Sequence, residues 1–226
     1  MTTANSSVDP HARNWVWRSF QLLMQTVFVF AFRYRIRGDE QLPDGGALLL
    51  MNHQSFIDPL VVAISFQRPV SYLARHNLFS VPLIGTILRA TYVIPIRRNA
   101  ASTESIRAAI ERLQQGYYVG LFPEGTRSQD GLLHEMKPGF LAIVRRASVP
   151  VVPIGIAGAG TAYPRGAVLI RPRTVRVVVG QPFSAEEVRQ YCEAGREAEL
   201  MTDIRQRLER AMHSARAWVD HSDERP

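Results

Sequence analysis

Apolar residues in this chain fall into short unbroken runs separated by stretches of helical period. Ala47-Leu48-Leu49-Leu50-Met51 contains no polar position, the pattern of a strand covered on both faces. Residues 34–37, 70–74, 92–96, 117–122 and 151–156 read as further strands. Residues 167–170 and 174–179, on either side of Arg171-Pro172-Arg173, read as a closing pair. Between the strands lie helical signals. Asp58-Pro59 predicts an N-cap followed by proline at the first helical position, opening a helix through Phe66. A helix over 103–115 is predicted from Ile106, Ala109, Ile110 and Leu113 on one face, with Ser102 as cap and Gly116 as stop. The loop 123–138 leads into a helix around 139–147. Leu200, Ile204, Leu208, Met212, Ala215 and Val219 mark one face of a long carboxy-terminal helix. Strands alternating with helices predict an α/β sandwich whose sheet is mixed and largely parallel, flanked by helices.

A chain of 226 residues without a linker, repeat or low-complexity block reads as one domain. Its amino-terminal part stands apart in character. The fourteen uncharged residues from Ser19 to Phe32 extend about 21 Å as a helix, short of the roughly 30 Å hydrocarbon core. Trp15 and Trp17 precede this run, and Arg33, Arg35 and Arg37 follow it, the arrangement of an interfacial anchor on anionic lipid. The alternative is an amphipathic helix packed on the protein's own core. The expected division is therefore a tail and membrane-associating helix over 1–37 and one domain over 38–226.

The net charge of +7 comes almost wholly from arginine, since Lys137 is the only lysine. Arginine suits phosphate oxygens, although a GC-rich genome would produce the same bias. No nucleic-acid motif accompanies it, so nucleic acid is not expected as a partner. The single cysteine, Cys192, excludes an internal disulfide and any multi-cysteine metal site, and no histidine stands near it in the sequence.

Chemistry concentrates in two places. Asn52-His53-Gln54-Ser55-Phe56-Ile57-Asp58-Pro59 follows one apolar run, and Phe122-Pro123-Glu124-Gly125-Thr126-Arg127-Ser128 follows another. Open α/β sheets bind ligands in the crevice beyond the strand ends, so both segments fall where a site forms. His53 and Asp58 do not share a helical face, because five residues advance roughly 140°. With a turn between them, the carboxylate can bend back to fix the imidazole tautomer behind a general base. The competing assignment makes Asp58 an ordinary N-cap and His53 a hydrogen-bonded turn residue. Glu124, Gly125, Thr126 and Arg127 offer backbone N–H groups, a hydroxyl and a guanidinium to a phosphate, or else form a surface turn with a salt bridge. Arg97 and Arg98, after Ile94-Pro95-Ile96, are a second basic site.

These two segments together resemble the signature pair of the glycerolipid acyltransferases, typified by 1-acylglycerol-3-phosphate acyltransferase. The resemblance runs over roughly residues 34–180, with Gly85 to Arg97 at the place of the family's second block and Val149-Pro150-Val151-Val152-Pro153-Ile154 at its fourth. Lys137-Pro138-Gly139 resembles the basic-x-Gly that follows the third block. Ile96 departs from the polar residue usual before the block's arginine, which leaves Arg97 and Arg98 both open for that role.

The resemblance implies transfer of a fatty acyl group from acyl-CoA or acyl-carrier protein to a glycerolipid hydroxyl. It implies His53 as base, Asp58 as its orienter, and Arg97, Glu124, Gly125, Thr126 and Arg127 as the acceptor-phosphate site. Asn52, Arg98 and Lys137 are further candidates. No metal or bound cofactor is implied, because the acyl donor is a co-substrate. The expected acceptor is lysophosphatidic acid at a membrane, on the cytoplasmic face of the inner membrane. Glycerol 3-phosphate or another lysolipid is the alternative acceptor, and a non-catalytic lipid-binding protein is the alternative class. A serine hydrolase would need a nucleophile beside His53, and Ser55 stands too close in sequence. Gly158-Ala159-Gly160 lacks the third glycine of a dinucleotide site, and no helix pattern follows it.

Overall fold

The computed structural model describes residues 15–82, 85, 86, 88, 92–96 and 103–223. Among the described residues seven strands form one sheet: β1 (Arg35–Arg37), β2 (Ala47–Met51), β3 (Val70–Arg75), β4 (Ile94–Ile96), β5 (Tyr118–Leu121), β6 (Val151–Ala157) and β7 (Arg176–Val179). Their order is β1-β7-β6-β2-β5-β3-β4. Every neighbouring pair is parallel except β6 and β7, so the sheet is mixed and mostly parallel as the sequence pattern predicts. The helices are α1 (Trp15–Phe32), α2 (Asp58–Ser65), α3 (Thr103–Gln114), α4 (Leu141–Ala147), the single turn α5 (Ala159–Ala162), α6 (Ala185–Glu193) and α7 (Glu197–Asp223).

β2 shows why the sheet is covered on both sides. Its five residues are all fully buried, and they alternate between two apolar layers. Ala47, Leu49 and Met51 join Phe28 and Phe32 of α1 and Val61, Val62 and Ile64 of α2. Leu48 and Leu50 face Ala109 and Leu113 of α3, Ile143 and Val144 of α4, and Leu200, Ile204 and Leu208 of α7. Truncating either leucine layer costs about 2–5 kcal/mol per Leu→Ala substitution, because a central strand has no room to collapse. α7 lies unusually close to β6: a Cβ at Gly155 would meet the Ala211 carbonyl carbon at 2.2 Å. Only glycine allows the helix backbone to settle on the strand there.

α1 packs on the protein's own core along one side only. Its inner side buries Trp17, Gln21, Phe28 and Phe32 against the domain. Gln21 and Gln25 donate to the carbonyls of Phe66 and Ile64, each at 2.7 Å. Its outer side nevertheless exposes Trp15, Leu22, Leu23, Val27, Val29 and Phe30. A helix apolar on both sides needs a second apolar environment. Among the described residues no helix is long and apolar enough to cross a membrane.

Three expectations need correction. Residues 167–170 form no strand, and Val168 and Leu169 are exposed. β7, the partner expected for it, is already paired on both edges by β6 and β1. Asp58 is the first helical residue rather than the cap: Ile57 is the N-cap and its side chain makes no cap bond. A one-turn helix, α5, does follow Gly158. The predicted cap Ser102 lies outside the described residues.

Candidate active site

β2 and β5 are parallel neighbours, so their carboxyl ends open on the same sheet edge and bring the two motifs together. The chain leaves β2 through Asn52, which is buried. Its Nδ2 donates to the Ile156 carbonyl at 3.0 Å, and its Oδ1 accepts the Ile156 amide at 2.7 Å. Asn52 thus closes the β2–β6 seam, and both ends of its amide are used inside the sheet.

His53 comes next. Its Nδ1 lies 2.8 Å from Oδ2 of Asp58, whose side chain is fully buried, while the imidazole is 19 % exposed. The same Oδ2 accepts the backbone amides of Gln54 and Ser55, each at 2.7 Å. An oxygen that already accepts two N–H groups is an acceptor for the third as well, so Nδ1 donates and Nε2 keeps its lone pair. One face of the imidazole stacks on Phe122 at 4.1 Å between centroids and 24° between planes. Phe122 in turn stacks on Tyr72. Burial first, and the Asp58 charge second, push the Tyr72 hydroxyl well above the usual phenol range. The imidazole is therefore fixed along one edge and over one face, with Nε2 turned to the partly open side.

The second motif holds the first through the backbone. Oε1 of Glu124 accepts the His53 amide at 2.9 Å, and the Ser128 amide donates to the His53 carbonyl at 2.8 Å. Oε2 of Glu124 accepts the His134 amide at 3.1 Å. Glu124 is 2 % exposed, so its charge is compensated by amides rather than by water. Gly125 has a positive φ of 67°, which bends the loop outward after the Gly125 amide bonds the Phe122 carbonyl. Gly125 and Thr126 are exposed and Arg127 is half-buried. Lys137 runs beside the loop: its amide donates to the Pro123 carbonyl at 2.9 Å, and its Nζ would lie 3.0 Å from a Cβ at Gly125. The Lys137 ammonium thus lies along the Gly125 turn, which leads directly into the exposed Thr126 and the half-buried Arg127, residue types suited to an anion. Arg97 and Arg98 lie outside the described residues.

Ser55 is no nucleophile here. It is fully buried, and its Oγ donates to the Tyr163 carbonyl at 2.8 Å. Nothing in the sequence foretold the Phe122 stack, the Asn52–Ile156 pair or the use of Glu124 by backbone amides. Each depends on segments between 10 and 104 positions apart. The one available signal was Phe122 itself, an aromatic at a strand end beside the second motif.

A family profile described as Acyltransferase matches residues 33–157. A 1-acyl-sn-glycerol-3-phosphate acyltransferase of Pseudomonas aeruginosa is 30 % identical over 209 residues, covering 91 % of this chain and 74 % of that relative. The chloroplastic 1-acyl-sn-glycerol-3-phosphate acyltransferase LPAT1 of Arabidopsis thaliana is 29 % identical over 194 residues, covering 83 % of this chain and 54 % of its own. The chain thus spans about half the length of that relative and of a similar one from Brassica napus. The crystal structure of the 1-acyl-sn-glycerophosphate (LPA) acyltransferase PlsC from Thermotoga maritima shares the fold. The TM-score is 0.68 at 24 % identity, over 95 % of this chain and 82 % of that one.

Proposed function

This chain belongs to the acyltransferase family, and from that premise we propose that it transfers a fatty acyl group from a thioester to the free hydroxyl of 1-acylglycerol 3-phosphate, giving phosphatidic acid. The observation that carries the reading is the 2.8 Å bond between His53 Nδ1 and a buried Asp58 whose oxygen also holds two backbone amides. That arrangement leaves Nε2 basic and aimed at the open side, as a general base requires. The names of the Pseudomonas and Arabidopsis relatives support the choice of acceptor.

In the proposed reaction Nε2 of His53 takes the acceptor's hydroxyl proton as the oxygen attacks the thioester carbonyl. The C–O bond forms and the C–S bond breaks. The proton held on His53 passes to the departing thiolate, so base and acid are one group and no acyl-enzyme is formed. Asp58 stabilises the imidazolium in between. The acceptor phosphate is bound by Gly125, Thr126 and Arg127, with Lys137 beside them and Arg97 or Arg98 following β4. Glu124 serves this site by setting the His53 backbone. The donor is acyl-CoA or acyl-carrier protein. The outer face of α1 holds the enzyme at the cytoplasmic face of the inner membrane, where a lysolipid can present its headgroup while its tail stays in lipid.

The test supplies a labelled acyl thioester with lysophosphatidic acid, glycerol 3-phosphate or lysophosphatidylcholine, and follows the label. Label in phosphatidic acid, abolished by His53→Ala, is the expected result. Label in free fatty acid would instead mark a thioester hydrolase, and label only in the other products would reassign the acceptor. No transfer at all would leave a lipid-binding protein.

A further inference from the structure

The connection from β6 to β7 displays three consecutive apolar residues to solvent. Val168 is 90 % exposed, Leu169 76 % and Ile170 49 %. The Ala167 amide bonds the Pro164 carbonyl at 3.1 Å and the Arg171 amide bonds the Ala162 carbonyl at 2.8 Å, so the tip projects from a closed loop. Single exposed apolar residues are ordinary on a protein surface, but three adjacent ones are not. Arg165, Arg171 and Arg173, all exposed, border them.

The topology places this loop beside α1. β7 runs antiparallel to β6, so the connection between them lies on the sheet edge where β6, and its parallel neighbour β2, end. β1 is parallel to β7 and starts on that edge too. The Val175 amide donates to the Phe32 carbonyl at 3.0 Å, and the Arg35 amide to the Val175 carbonyl at 3.3 Å. A crevice of about 340 Å³ between the two segments is lined by Ala31, Arg33, Pro172, Arg173 and Thr174. Two arginines on its walls make it a cationic seat, and in sequence it is flanked by exposed apolar residues, Phe30 before Ala31 and Ile170 before Pro172.

We propose that the loop around residues 165–173 is a second membrane contact, which with the outer face of α1 seats the catalytic edge of the sheet on an anionic bilayer. Apolar residues enter the acyl boundary while the bordering arginines meet lipid phosphates, a pairing that a bilayer satisfies over a broad surface. The loop is also joined to the site. Its root residue Tyr163 accepts the Ser55 hydroxyl, and the Ser55 amide donates to Asp58. Bilayer contact at the tip would thus be made by a segment three hydrogen bonds from the histidine, through Ser55 and Asp58. The purpose of this contact rests on the acyltransferase reading, but the contact itself does not.

The test uses the full chain carrying Leu169→Cys in a Cys192→Ser background, labelled with an environment-sensitive fluorophore. Vesicles of phosphatidylcholine with phosphatidylglycerol should blue-shift the probe, and phosphatidylcholine alone should do so much less. A separate variant, Val168→Ser with Leu169→Ser and Ile170→Ser, should lower partition into the mixed vesicles about tenfold and leave the thermal midpoint in place. Acyl transfer to a short soluble acceptor by this variant should be unchanged. An unshifted probe on vesicles that bind the protein would overturn the proposal, as would a blue shift that needs only higher protein concentration and so reports a second copy. If the acyltransferase reading alone is wrong, neither protein transfers acyl groups while the difference in vesicle binding persists.

Discussion

Glu124 and His53 are joined through a backbone group: the Glu124 carboxylate accepts the His53 amide at 2.9 Å, while the imidazole is held separately by Asp58. A buried carboxylate filled by amides acts as a brace. Glu124→Ala should lower kcat roughly 10²-fold by letting the base drift, with little change in KM for the phosphorylated acceptor. It should also destabilise the fold by about 1–3 kcal/mol for each amide left unpaired, measured by urea unfolding. A KM effect of tenfold or more with kcat intact would return Glu124 to the phosphate site.

His53→Ala should reduce turnover by about 10²–10⁴ while circular dichroism and vesicle binding stay as in the parent protein. Asp58→Asn should approach that loss and also weaken the fold, because its Oδ2 serves two amides as well as the imidazole. The helix itself should survive, since Asp58 does not cap it. A well-folded His53→Ala enzyme within roughly threefold of normal turnover would remove His53 from the chemistry.

Arg127→Ala should raise KM for the phosphorylated acceptor far more than for the acyl donor, because one charge-assisted contact is lost at one end only. Lysine should rescue poorly, lacking the planar fork. Equal weakening for both substrates would make Arg127 a structural residue.

α6 offers a prediction about pH. Ser184 Oγ accepts the Glu187 amide, and the Glu187 carboxylate accepts the Ser184 amide in return, a capping box. That bond from the Ser184 amide, assisted by Arg207, holds the Glu187 carboxyl below its usual range. A carboxyl depressed in the folded state stabilises above its unfolded value of about 4.3 and loses that contribution as pH falls through the folded value. The stability gap between the parent protein and Glu187→Gln should therefore be present at neutral pH and close as pH falls below about 4. Ser184→Ala should cost about 1 kcal/mol by chemical denaturation. A gap independent of pH would show that the carboxylate charge plays no part.

Some of this fold was legible because a single physical requirement governed each segment. The run at 47–51 had to be buried on both sides, and all five of its residues are. The apolar face from Leu200 to Ala215 had to meet the sheet, and it does so along α7. The His53–Asp58 turn was likewise legible from spacing and residue type. Residues 167–170 mislead because apolar composition alone suggests a strand, while β7, the partner it would need, is paired on both sides by β1 and β6. α6 is announced in the sequence only by Ser184 and Glu187, the pattern of a helix start. At the site, Glu124 and Lys137 are legible in the sequence as polar residues in and after the second motif. The amide bonds that engage Glu124 come from His53 and His134, and their positions follow only from the assembled sheet. Between anchor and core, the packing of α1 shows the core part, so removing it would strip Phe28 and Phe32 from the interior. Polar substitutions at Leu22, Leu23 and Phe30 address the outer face alone.

The Asn52–Ile156 pair changes what it means for His53 to sit on a loop. A strand that stops normally leaves its neighbour's amide and carbonyl without a ladder partner, and the connecting segment is the mobile part of the structure. Here a side-chain amide stands in for one more residue of β2, so β6 keeps its bonds while the main chain is already turning away. His53 begins one peptide from that fixed point, and its own N–H and C=O are both engaged by the facing motif. By secondary structure His53 is a loop residue, but mechanically it is an extension of the sheet, and it inherits the rigidity of the protein's most buried layer.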